Sequence, residues 1–311
     1  MTGYDVIGDV HGHADALTDL LRVMGYAERN GAWRHRDRQA VFVGDLIDRG
    51  PQQLETIGIV RRMVDAGTAQ VVLGNHEFNA VAYATPTPNG GHLRPHNTKN
   101  RRQHASFIAE VGLDSPLHRE LVAWFMTIPL WLEVAGLRVI HACWSEPHLD
   151  RIRDRVSKAN TLTDELVVDA STKDHDAYAS IETLLKGPEV RLPDGMKFRD
   201  KGNHTRANVR LRWWDDTATT WRSLLSPSNI VLDRNGDVVD GLPDEPIPDH
   251  LRRGIDGTVP VIFGHYWFET PLTVANPLAL CVDYSAGKGG PLAAYRFDGE
   301  PTLSADRLVS T

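Results

Sequence analysis

Cysteine is nearly absent: Cys143 and Cys281 are the only two in 311 residues. That excludes a disulfide framework and leaves too few thiolates for a cysteine-based zinc knuckle. Both follow strand-like runs and read as small buried apolar residues. No stretch approaches the ~18 apolar residues of a membrane span. Asp5, Asp9 and His11 interrupt the region where a secretory leader would be apolar. Positive charge is not in excess either. The net charge is −7, which argues against a general nucleic-acid or anionic-membrane surface. Neither a stable nucleic-acid complex nor a membrane partner is expected, although a local basic pocket for a phosphorylated substrate stays open. The expected compartment is a reducing cytoplasm. No internal repeat is visible.

What is present is an ordinary globular composition, 41% hydrophobic and 24% charged, in a chain long enough to bury a large core. The first 85 residues alternate strand and helix. Tyr4–Gly8, Ala40–Val43 and Gln70–Leu73 are short and β-branched. Between them Leu17, Leu20, Leu21 and Met24, then Ile57, Val60 and Val64, recur at helical spacing, with Gly25 and Gly67 as stops. A further helix starts near Glu77. This order predicts a parallel α/β sheet with right-handed crossovers. Thr85–Asn100, with three prolines and Gly90-Gly91, reads as a loop; helices follow near 103–112 and 116–126. Leu130–Val134 and Leu137–Ile140 then form a hairpin-like pair around Ala135-Gly136.

Five of the apolar runs stop on a metal-ligand type of residue. They end on Asp9, Asp45, Asn75, His141 and His265, and glycine precedes all but His141. In open α/β sheets the ligand site lies outside the carboxyl ends of the strands, so these ends build one polar site. Asp9 and His11 stand at i and i+2, on the same side of an extended segment. Taken singly, Asp9 and His11 could be surface residues, and Asp45 or Asn75 could cap helices; the set of five argues against that. A carboxylate can bridge two ions. Asp9, His11 and Asp45 would hold the first, and Asp45, Asn75, His141 and His265 the second. Such ligands suit manganese foremost, with iron, zinc, cobalt or nickel as alternatives. Two ions about 3.5–4 Å apart can activate a water and clamp a phosphoryl group.

The neighbours complete the chemistry. Arg49 can grip phosphate oxygens bidentately. His76, paired with Asp48, can protonate a leaving oxygen. Glu77 reads as a helix-start charge, His13, His92, His96 and His104 as solvated histidines, and Trp213 and Trp214 as packing, with stacking on a nucleobase as the alternative. Trp144 and Trp267 lie near ligands and either pack or wall the pocket.

Asp9-Val10-His11-Gly12, Gly44-Asp45-Leu46-Ile47-Asp48-Arg49-Gly50, Gly74-Asn75-His76-Glu77, His141 and Gly264-His265 together resemble the calcineurin-like metallophosphoesterase superfamily, in its phosphoprotein-phosphatase-like branch. The resemblance covers about residues 4–83, 128–144 and 259–297, and the first block resembles bacterial dinucleoside tetraphosphatase-like members. It implies a two-sheet β-sandwich flanked by helices, in place of a doubly wound sheet, and direct hydrolysis of phosphoesters or phosphoanhydrides by water. It also implies a second phosphate-binding arginine from outside the first block.

That arginine is sought in Gly187–Arg212, which holds Arg191, Lys197, Arg199, Lys201, Arg206, Arg210 and Arg212. Arg212, before Trp213-Trp214, is the expected one. Residues 148–257 read as an insertion or cap within a single 1–311 domain. They depart from eukaryotic Ser/Thr phosphatases, which weighs against a protein substrate. The expected activity is metal-dependent phosphoester hydrolysis on a phosphorylated small molecule, nucleotide or phosphoprotein. Dinucleoside tetraphosphate hydrolysis is the alternative, and a non-catalytic metal-binding module the remote one.

Overall fold

The short β-branched runs become strands whose carboxyl ends share an edge. In the computed structural model, which describes residues 3–199, 204–215, 217–224, 230–248, 255 and 257–311, the chain runs through β1 (Gly3–Ile7), α1 (Ala14–Val23), β2 (Ala27–Arg29), β3 (Ala32–Arg34), β4 (Arg38–Phe42), α2 (Gln53–Asp65), β5 (Ala69–Val71) and α3 (Asn75–Ala84). It continues through α4 (Thr98–Gln103), α5 (Ala105–Val111), α6 (Pro116–Phe125), β6 (Trp131–Val134), β7 (Leu137–Ile140), α7 (Glu146–Arg153), α8 (Asp164–Ala170) and α9 (Asp176–Lys186). Next come β8 (Glu189–Arg191), β9 (Lys197–Arg199), β10 (Thr205–Arg206), β11 (Asn208–Arg210), α10 (Trp221–Leu224), β12 (Ile230–Leu232) and β13 (Val238–Val239). The chain closes with β14 (Val261–Phe263), β15 (Ala279–Cys281), β16 (Ala293–Phe297) and β17 (Leu308–Ser310).

Two compact units result. One joins the chain up to Lys186 with Gly257–Thr311, and the other is Gly187–Asp256. In the first unit a five-stranded sheet has the order β17-β16-β1-β4-β5 and a four-stranded sheet the order β15-β14-β7-β6. The β1, β4 and β5 strands are parallel, as the alternating pattern predicts. The second sheet is the one implied by the family resemblance. Val6, Val41, Val43 and Val72 of the first sheet pack in one apolar cluster with Val139, Ile262, Leu280 and Val282 of the second. Each such side chain taken from water contributes about 1.5–3 kcal/mol. Both cysteines are buried, as read.

Register explains the shared edge. Ile7 pairs Phe42, and Phe42 pairs Val71, so the three parallel strands end level. Phe263 pairs Cys281, and the Gly264 N–H donates to the His141 carbonyl at 2.8 Å, so the second sheet ends level too.

The helices over 148–186 belong to the first unit, so the second unit starts at Gly187, later than the 148 of the sequence reading. The second unit has its own apolar cluster of Leu192, Val209, Leu211, Trp221, Leu224, Val231, Leu242 and Ile247. Trp213 and Trp214 are buried. Among the described residues no helix is long and apolar enough to cross a membrane.

Candidate active site

The first unit gathers Asp9, His11, Asp45, Asp48, Asn75, His76, His141 and His265 at the common edge of its two sheets, seven of them buried or nearly so and His265 half-buried. The glycines before them are bare because backbone and carboxylates approach closely. A Cβ on Gly74 would collide with the Asp45 amide and carboxylate, and one on Gly264 with the Asp9 carboxylate. Seven of the thirteen non-glycine residues with positive φ among those described are His11, Asp45, Asp48, Arg49, His265, Trp267 and Ser285. Backbone held in this sparsely populated region therefore concentrates at one spot, as is common where loops present a functional constellation.

Asp45 stands at the centre. Its Oδ2 lies 3.6 Å from His11 Nε2 and 3.9 Å from His76 Nε2. Its Oδ1 lies 3.5 Å from His141 Nε2 and accepts the His76 backbone N–H at 2.9 Å. Two groups whose ligand atoms all lie within 4.8 Å of one another meet there: His11, Asp45 and His76, and Asp45, His141 and His265. The Asn75 amide oxygen is 3.1 Å from His141 Nε2. Asp9 accepts the His265 N–H at 3.1 Å and stands outside both of these tight groups.

The tautomers favour cation binding. His11 Nδ1–H donates to the Ile47 carbonyl at 2.9 Å, and His141 Nδ1–H to the Val43 carbonyl at 2.7 Å. Carbonyls only accept, so in each neutral ring Nε2 is left as a lone pair, the device that aims histidine ligands at a metal. His11 Nε2 is buried and makes no hydrogen bond. Burial pushes Asp9 well above the usual carboxylate range, and the charges of Asp283 and Asp45 add to the push. Burial also raises Glu77 to about 7, with help from Asp45. Burial pulls His141 down, but the Asp45 charge outweighs it and holds His141 above its usual value. The pocket thus calls for positive charge between its acids, and two metal ions fit this donor set.

The His76–Asp48 pair is formed. His76 Nδ1 donates to Asp48 Oδ2 at 2.6 Å. Burial pushes His76 down, yet Asp45 and Asp48 together hold it above its usual value. Burial pushes Asp48 up, while hydrogen bonds from His104 and His76 pull it to about 2. His104 is therefore not solvated, as its sequence setting suggested. It is buried, and its Nδ1 lies 2.9 Å from Asp48 Oδ1. Arg49 is exposed at the mouth, its guanidinium 4.2 Å from the centre of the half-buried Trp267 ring. Lys288 lies 3.4 Å from the centre of the same ring. Trp144 is buried beneath Arg138, so it packs. Arg212 belongs to the second unit, between the buried Leu211 and Trp213.

Two further carboxylates complete the site. Asp283, just past β15, is buried and accepts the Trp267 and Ser285 N–H groups, each at 2.9 Å. It is a sixth polar strand end, and the third acidic one, beyond the five expected from the sequence. Glu77 does more than start its helix. Its carboxylate accepts the N–H of Asp45 (3.0 Å), Leu46 (2.9 Å), Ile47 (3.2 Å) and Gly74 (3.1 Å), clamping the Asp45 turn to α3. Glu77→Gln removes half of these acceptors, and hydrogen bonds to a charged group contribute about 1.5–3 kcal/mol each. A fall in thermal midpoint together with weaker metal retention is the expected result, and unchanged unfolding and metal content would contradict the clamp.

Comparison with known proteins agrees with this geometry. The calcineurin-like phosphoesterase family model matches residues 4–266. The chain belongs to that family. A calcineurin-like phosphoesterase is a hydrolase, and its family uses divalent metal ions. This phosphoesterase is 33% identical to the symmetrical bis(5'-nucleosyl)-tetraphosphatase of Vibrio cholerae, over 97% of this chain and 98% of that protein. It is 50% identical to the asymmetrical bis(5'-nucleosyl)-tetraphosphatase of Halalkalibacterium halodurans over 74 residues, 24% of this chain and 30% of that protein. The matches to asymmetrical relatives thus span only about a third of those proteins. A cold-active protein tyrosine phosphatase shares 18% identity, with a TM-score of 0.50 over 100% of this chain and 78% of that one. That likeness concerns the fold alone.

Proposed function

We propose that this phosphoesterase hydrolyses a phosphoanhydride bond of a dinucleoside tetraphosphate by direct attack of water. The observation that carries the reaction type is the His76–Asp48 pair set against two ligand groups that share Asp45. Asp9, His11 and Asp45 would hold one ion, and Asp45, Asn75, His141 and His265 the other, with manganese first among the candidates. Bound there, such ions supply charge that draws phosphate oxygens in and eases deprotonation of a water. His76 Nε2 gives its proton to the leaving oxygen, while Asp48 holds the ring by Nδ1. Arg49 grips non-bridging oxygens, its guanidinium held beside the Trp267 ring at 4.2 Å from the ring centre.

Two observations support the tetraphosphate. The relative matched end to end is a symmetrical tetraphosphatase. Arg49 and Lys288 lie 4.2 Å and 3.4 Å from the centre of the Trp267 ring, so two cations share one ring beside the site, which suits a polyanionic substrate. Hydrolysis of simple phosphomonoesters, including phosphorylated side chains, is the second reading, because nothing in the ligand set itself reads the leaving group.

One panel tests these readings: metal-loaded protein with diadenosine tetraphosphate, p-nitrophenyl phosphate, a phosphodiester and a phosphopeptide. The expected outcome is the highest kcat/KM on the tetraphosphate, with two molecules of ADP as products. ATP plus AMP would point to the asymmetrical cleavage, and preference for the phosphopeptide to the second reading. Turnover of none, with Mn, Fe, Zn, Co and Ni each tried, would refute hydrolysis.

A further inference from the structure

We infer that His104 is a positioning residue for the proton donor, aligning His76 through Asp48. The inference rests on the proposed role of His76. Asp48 is a buried carboxylate with an imidazole on each oxygen: His76 Nδ1 on Oδ2 at 2.6 Å and His104 Nδ1 on Oδ1 at 2.9 Å. An ionised carboxylate only accepts, so both rings present Nδ1–H to it. With one partner the carboxylate plane would be free to turn about its last side-chain bond. With a hydrogen bond on each oxygen that plane is fixed, and with it the direction of His76 Nε2.

The rest of the surroundings serve the same end. The Asp48 N–H donates to Gln53 Oε1 at 2.6 Å, which holds the backbone of the turn. His104 occupies the single position between α4 and α5, its N–H bonded to the Asn100 carbonyl at 3.1 Å. Its ring is lodged between Tyr83, edge-on at 5.2 Å, and Phe107, tilted at 5.0 Å. The buried Nε2 makes no hydrogen bond, so the ring's one polar contact among the described residues is Asp48. A histidine kept dry for packing alone would not need to aim its donor at the carboxylate that serves the acid.

The step it serves is balanced. A water oxygen bonds phosphorus and sheds a proton to solvent. The bond from phosphorus to the leaving oxygen breaks, its electron pair stays on that oxygen, and the Nε2 proton of His76 joins it. Alignment of that proton matters most when the leaving oxygen is basic and least when it leaves easily as an anion.

Two variants separate donor from packing. His104→Phe keeps a ring between Tyr83 and Phe107 but has no donor, whereas His104→Asn keeps an N–H near the Nδ1 position without the ring. The readout is kcat on phenyl phosphate and on p-nitrophenyl phosphate, with metal content and thermal midpoint measured beside it. For His104→Phe, kcat should fall by about 10–100-fold on phenyl phosphate and by less than about 3-fold on p-nitrophenyl phosphate, at unchanged KM. His104→Asn should recover most of the loss. Equal losses on both substrates, or no loss in either variant, would overturn the inference while leaving the reaction in place. If His104→Phe fails to fold, His104→Leu, which also lacks a donor, takes its place: a loss confined to phenyl phosphate supports the donor role, and equal losses on both esters or no loss overturn it. A wild-type protein that turns over neither ester nor the tetraphosphate would refute the proposed function, and this inference with it.

Discussion

Asp45→Asn is expected to lower kcat by on the order of 10³ or more, equivalent to about 4 kcal/mol of transition-state stabilisation. The substitution is nearly isosteric, and the amide oxygen can still accept the His76 backbone N–H, now 2.9 Å from Asp45 Oδ1. What is lost is the negative charge common to both groups and the lone pairs of Oδ2, which face His11 at 3.6 Å; the oxygen that stays, 3.5 Å from His141, becomes a neutral amide oxygen. No other side chain is common to both ligand groups, so both are weakened together. Metal analysis should therefore show loss of both ions. Added metal should raise the thermal midpoint of the wild type and leave that of the variant where it was, since only an ion that binds the folded state stabilises it. A variant that retains both ions and wild-type kcat would contradict the shared role of Asp45.

His76→Asn should act differently. The asparagine amide can still reach Asp48 from near the Nδ1 position, but nothing replaces Nε2. Loss of a general acid costs about 10²–10⁴ in kcat, and the metal content should be spared. That second measurement is informative because His76 Nε2 stands within one of the ligand groups, 3.9 Å from Asp45 Oδ2. The hydrogen bond from Nδ1 to Asp48 at 2.6 Å and the proton affinity raised by two carboxylates favour an acid. A variant stripped of one ion would reassign His76 as a ligand, and a variant with intact kcat would remove it from the chemistry.

Much of this site was legible because parallel strands bring their ends together. A β-branched run, a glycine and then Asp, Asn or His is a local pattern, and register does the rest. The same logic extends to Asp283, which ends the run Leu278–Val282 and, like His141, has no glycine before it. His104 carried no local signal: its partner Asp48 is 56 positions away, and a histidine between two helices looks solvated. Glu77 was half legible. Its place three residues after Gly74 marks a helix start, but its hold on Asp45, Leu46 and Ile47 crosses about thirty positions. The β2–β3 hairpin turns on Asn30-Gly31, both at positive φ, a strong turn signal flanked by strands only three residues long. Among the described residues of 187–256 the strands are two or three residues long, too brief for alternation to show.

The edge on which the proposed ligands meet is also a seam. Asp9, His11 and Asp45 follow strands of the five-stranded sheet, while His141 and His265 follow strands of the four-stranded one. Neither sheet alone carries both ligand groups, and the last of their residues is translated some 250 positions after the first. The chain cannot present a finished site until its closing segment has docked the second sheet on the first. On the proposed ligand assignment, no form that lacks the second sheet carries both groups, and an ion seated across the seam would act as a rivet, tying the affinity for metal to the cohesion of the whole sandwich.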